Sequence, residues 1–157
     1  VIEIAGLPAH ILLVHAVVVL GPIAGLAAIV YAAAPRWRRY LAWPLGVLSL
    51  GLVPVALVTA QAGEQLQKSR PATAAIREHA EQGDVLKVVS VIFFVLVAAM
   101  IVVSYDPIGR RFAFLGRIRD NRVVRIVLLV AGALAGAFFL YQSIVTGHSG
   151  AASVWGR

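Results

Sequence analysis

Four histidines, His10, His15, His79 and His148, are the side chains of this protein best suited to binding a metal or carrying a proton near neutral pH. Cysteine is absent. That excludes disulfides, thiolate metal sites, cysteine-ligated iron–sulfur clusters and covalent c-type haem. A metal or cofactor must therefore be held by His, Asp, Glu or backbone groups, or come from a partner.

His15 lies in the apolar run from Ile11 to Leu20. An ionisable group there is costly and is expected to face the bundle interior with a partner. It can serve as a ligand or a proton carrier, or as polar glue satisfied by a backbone carbonyl. His10 and His15 are separated by about 140° around a helix, so they are not the paired ligands of a helical zinc site and point to different neighbours. His79, beside Arg77, Glu78 and Glu81, is expected in a polar outer loop, where a solvated histidine is the plainer reading. His148, in Gly147-His148-Ser149-Gly150, is expected just past a helix end. Two constellations follow. One is a bis-histidine haem b with His15 on one side and His148 or His79 on the other. The other is a zinc or copper ion held by ligands drawn from His10, His15, His79, His148 and Glu64. No nucleophile–base spacing is present, so no catalytic residue is assigned and no independent catalytic activity is expected.

The elements that must position these residues are apolar helices. Hydrophobic residues make up 61% of the 157 and charged residues 13%, more apolar surface than a soluble domain of this size can bury. The expected architecture is an all-α integral membrane four-helix bundle forming a single domain over 1–157, with helices at about 8–34, 40–62, 85–105 and 123–146. Pro8 suits the first turn of the first helix, and Asp84 the N-cap of the third.

Charge sets the direction. Nine of the fourteen basic residues fall on the two turns after the first and third helices, Arg36, Arg38, Arg39, Arg110, Arg111, Arg117, Arg119, Arg122 and Arg125, against Asp106 and Asp120. The opposite face carries Lys68, Arg70, Arg77, Lys87 and Arg157 against five acids. The positive-inside rule places the arginine turns in the cytoplasm and both termini outside, in a plasma (inner) membrane. The basic excess is a topology signal, and no nucleic-acid partner is implied. Gly21/Gly25 and Gly132/Gly136 have the spacing of close helix contacts and are candidate faces for self-association or for other membrane subunits.

The two helical hairpins look alike. Pro35-Arg36-Trp37-Arg38-Arg39-Tyr40 and Pro107-Ile108-Gly109-Arg110-Arg111-Phe112 share Pro-x-x-Arg-Arg-aromatic at corresponding turns. His10 and His79 stand near the outer start of each hairpin, and Gly63-Glu64 and Gly147-His148 near its outer end.

The opening Gly6-Leu7-Pro8-Ala9-His10 followed by aliphatics and His15 resembles the bacterial membrane proteins grouped as the domain-of-unknown-function 2231 family. The Pro35–Arg39 turn, the stretch Arg77 to Asp84, and Gly147 through Trp155 carry the same likeness. It implies a four-helix membrane domain, sometimes joined to redox modules such as Rieske or cytochrome c domains. The expected function is thus a small redox-associated membrane subunit whose extracytoplasmic histidines bind haem b or a metal ion. The alternative is a non-catalytic accessory or assembly subunit of a larger respiratory complex. A transporter or proton channel ranks last, since the spans hold no buried carboxylate pair.

Overall fold

The computed structural model describes residues 3–155 apart from 5, 70 and 72; Arg70 and Arg157 of the charge balance lie outside the described residues. A small antiparallel ribbon, β1 (Glu3–Ile4) with β2 (Leu7–Pro8), reverses at Gly6, whose φ of 77° suits glycine. It leads into α1 (Ala9–Ala33), α2 (Arg38–Lys68) and α3 (Ala74–Ser104). Two short helices, α4 (Asp106–Gly109) and α5 (Gly116–Asp120), then lead to α6 (Arg122–Trp155). The four long helices are each long and apolar enough to cross a membrane. They form a bundle in which sequential helices are neighbours and α6 closes against α1.

The interior is small and tightly filled. Phe93 and Phe139 stack at 4.6 Å near its middle, with Val97, Met100, Leu45 and Tyr31 buried around them. The outer faces are as apolar as the core: Val47 and Leu134 are each 65% exposed. Such faces would aggregate in water, and hydrocarbon is the solvent that suits them.

Gly21, Gly25, Gly132 and Gly136 are buried within the bundle, which corrects the expectation that they serve contacts between chains. A Cβ on Gly136 would stand 2.7 Å from the Gly25 carbonyl oxygen, and one on Gly132 would meet Met100. Gly21 lies against Ser143. The small residues let α1 and α6 approach backbone to backbone, where van der Waals contact holds helices together in lipid. No face of them is left for a second chain.

Three helices run past their expected ends, always towards the histidines. α2 continues through Gly63 to Lys68 and α6 continues to Trp155, while α3 begins at Ala74 rather than near Val85. The added turns are built from polar or small helix formers such as Ala74-Ala75-Ile76-Arg77-Glu78, which show little hydropathy yet have good helix propensity. The N-cap of α3 is Thr73, whose Oγ1 accepts from Ile76 N at 3.2 Å. Asp84 is therefore inside the helix, where it pairs with Lys87 at 2.8 Å instead of capping. His79 is on α3 and not in a loop, and His148 is inside α6 and not past its end. Asn121 caps α6 by accepting from Val123 N and Val124 N at 2.9 and 3.2 Å.

Candidate functional site

The added turns bring two of the four histidines together. His10, in the first turn of α1, and His79, in the second turn of α3, stand edge to face with ring centroids 5.8 Å apart. Both are partly buried. Each ring is seated against a glycine of a neighbouring helix. A Cβ on Gly63 of α2 would come within 2.9 Å of His10 Cε1 and Nδ1, and one on Gly150 of α6 within 3.0 Å of His79 Cε1.

Their hydrogen bonds fix which nitrogen is free. His10 Nδ1 lies 2.9 Å from the Thr59 carbonyl oxygen. A carbonyl only accepts, so Nδ1 carries the proton and Nε2 of the neutral ring keeps its lone pair. His79 Nδ1 lies 3.1 Å from Ser149 Oγ, and that hydroxyl gives its own proton to the Thr146 carbonyl at 2.9 Å. Ser149 Oγ therefore accepts from His79 Nδ1–H, and Nε2 again keeps the lone pair. The side-chain bonds of both rings thus run through Nδ1, and the Thr146 backbone also bonds the His79 ring. A carbonyl or hydroxyl holding one ring nitrogen while the other stays bare is the usual support behind a metal-ligating histidine.

A polar layer lies beneath the pair. Gln142 of α6, 4% exposed, donates from Nε2 to Gln82 Oε1 of α3 at 2.7 Å. Buried Thr146 donates to the Gln82 carbonyl at 3.4 Å. Ser143 bonds its own helix at Phe139 O. Below that level the Phe93–Phe139 stack closes the interior. At the other end of the bundle Tyr31 and Ser104 bond each other at 3.0 Å.

His15, His148 and Glu64 are exposed. His15 sits on the outer side of α1 with Nδ1 donating to the Ile11 carbonyl, not inside the bundle as expected. Its 140° offset from His10 turns it outward once His10 faces in. His148 points away from α6 while its neighbours Gly147 and Ser149 face Val18 and His79. Among the described residues no three His, Asp or Glu side chains stand close enough to share an ion. Of the expected ligands the structure therefore brings His10 and His79 together, and His15, His148 and Glu64 are not brought to them.

Thr59, Gly63, Ser149, Gly150, Gln82 and Gln142 were not legible as site residues from their types alone. One signal was present: Thr59 precedes Gly63, and Thr146 precedes Gly150, by one helical turn. No family model matches the chain, and neither a curated protein nor a solved structure matches it.

Proposed function

We propose that this chain is a plasma-membrane subunit that binds one metal ion, zinc or copper, through His10 Nε2 and His79 Nε2. The observation that carries the reading is the pair of Nδ1 bonds, to Thr59 O and Ser149 Oγ, on two imidazoles whose centroids lie 5.8 Å apart. Imidazole nitrogen suits both ions, and water completes the coordination at this solvent-facing end. Haem b is supported less well: the two rings meet edge to face, and a porphyrin would have to part them. With copper the subunit would serve electron transfer, in keeping with the likeness to the domain-of-unknown-function 2231 family, of which we propose it is a member.

The histidine end is proposed to face the extracytoplasmic side, with the arginine turns cytoplasmic. The support is the nine-to-two excess of basic over acidic residues at those turns. The like placement of His10 against Gly63 and of His79 against Gly150 supports a duplicated two-helix unit. Its second member then ends at Gly150, three residues beyond Gly147.

A second reading, an accessory subunit within a larger complex, is favoured by His15. It stands exposed on the same flank as Leu12 and Val19, where a helix of another protein would shield its remaining nitrogen from lipid. Purification from native membranes followed by metal analysis and an absorption spectrum tests both readings together. About one equivalent of zinc or copper per chain supports the site. A Soret band would replace the ion with haem, and neither ion nor haem would leave the accessory reading alone. Because the chain has no cysteine, single cysteines at Ser153 and Arg117 report sidedness cleanly. The proposed orientation requires an impermeant thiol reagent to label the first from outside the cell and not the second.

A further inference from the structure

The end of the bundle opposite the histidines holds a cleft of about 430 Å³ between the α1–α2 turn and the segment joining α3 to α6. Arg38, Arg39, Arg119 and Arg125 line it against Asp106 and Asp120, four cations to two carboxylates.

Two of the cations are fixed by the fold. Arg38 donates from Nε to Tyr31 O and from Nη2 to Ala32 O, both at 3.2 Å. These are carbonyls of the last turn of α1, which lack helical partners. Arg119 does the same for α3: Nε donates to Val102 O at 3.2 Å and Nη2 to Asp106 Oδ1 at 2.7 Å, leaving its side chain 14% exposed. Arg39 and Arg125 enter no ion pair among the described residues. The Arg39 guanidinium instead lies over the Tyr40 ring, 4.4 Å from its centroid.

The surroundings identify the anion that would pair with them. Trp37, Tyr40 and Trp43 are 46%, 57% and 58% exposed beside Arg39, and exposed Val47 and Leu50 continue that surface along α2. Trp and Tyr favour the headgroup level of a bilayer, and the aliphatic strip beyond them matches acyl chain. A soluble phosphate would use the arginines alone. A phosphate carrying hydrocarbon uses both features, and basic pockets between membrane helices bind such headgroups.

We propose that this cleft binds the headgroup phosphate of an anionic phospholipid, with Arg39 and Arg125 as the pairing cations and Arg38 and Arg119 holding the cleft open beneath them. This site is independent of the histidine pair. The test is native mass spectrometry of the detergent-solubilised full chain with equal amounts of phosphatidylglycerol and phosphatidylcholine. Phosphatidylglycerol is expected to be retained preferentially, by about fivefold for each pairing arginine. The Arg39→Gln/Arg125→Gln variant is expected to lose that preference, and the Arg39→Lys/Arg125→Lys variant to keep most of it. Helicity and elution volume monitor folding, and the two single Gln variants, each losing part of the preference, serve if the double variant does not fold. Equal retention of both lipids by the unmodified chain, or a preference unchanged by Arg39→Gln/Arg125→Gln, overturns the proposal. Displacement of phosphatidylglycerol by millimolar inorganic phosphate would assign the cleft to a soluble anion and overturn it equally.

Discussion

His79 presents its imidazole edge to face with that of His10, 5.8 Å between centroids, although the two residues belong to different helix pairs. The contact depends on α3 beginning a full two to three turns before its apolar stretch, and on glycines at positions 63 and 150 that leave room for the rings. Each ring is held by one nitrogen and offers the other. That asymmetry is what the proposed ion would use.

Ser149→Ala removes the acceptor of the His79 Nδ1 proton and lets the ring turn. The loss of such a support is expected to weaken zinc binding by about 10- to 100-fold with the ligand itself intact. His15→Ala and His148→Ala, both on exposed positions outside the pair, should leave affinity within about twofold, since neither reaches the donor set. Calorimetric titration of the four proteins in detergent checks the contrast. Protons compete for the same nitrogens, so affinity should also fall as pH is lowered.

Gly63→Ala and Gly150→Ala place a methyl where an imidazole now lies. The atoms met are at the end of a side chain that can swing, so the ring should move rather than the helix. The expected result is a loss of zinc affinity of about tenfold or more, with a change in unfolding free energy of under about 1.5 kcal/mol. Titration and unfolding in mixed micelles separate the two effects.

Gly136→Ala meets backbone instead: its methyl would face the Gly25 carbonyl at 2.7 Å and Ala28 Cβ at 3.0 Å. Neither can step aside without parting α1 from α6. A destabilisation of about 1–3 kcal/mol is expected. Gly51→Ala, with nothing within 4 Å, should be neutral or stabilising by up to about 1 kcal/mol. Unfolding of both variants under the same conditions decides whether the small-residue seam is internal, as the structure has it.

The four long helices were legible because their outward and core-facing sides are both apolar, and a run of such residues announces itself. Their polar extensions were not, since Glu78, Gln82 and Gln65 give helix without hydropathy. That is why His79 read as a loop residue and Asp84 as a cap. His15 misled for another reason. Depth in an apolar run fixes distance along the helix but not direction around it, and the exposed side of α1 was open to it. The 140° offset from His10 separates the two directions, and it turns His15 outward once His10 is seated in the bundle. Thr59 and Ser149 resemble any helical hydroxyl until the ring nitrogens beside them are placed.

Gln142 and Gln82 form the one side-chain amide pair under the histidines among the described residues. In a double-mutant cycle with Gln82→Leu and Gln142→Leu, a coupling of about 0.5–1.7 kcal/mol is expected, the range found for hydrogen bonds between membrane helices. Coupling near zero would mean that the two amides find equivalent partners elsewhere.

X-ray absorption at the zinc edge tests the histidine pair most directly, because it counts imidazoles at the ion. A site built on His10 and His79 predicts two nitrogen ligands from imidazole at about 2.0–2.1 Å. One should remain in His10→Ala and one in His79→Ala, and both in His15→Ala. An ion that keeps its full imidazole count in His79→Ala, or an unmodified chain that takes up no stoichiometric zinc or copper, would contradict it.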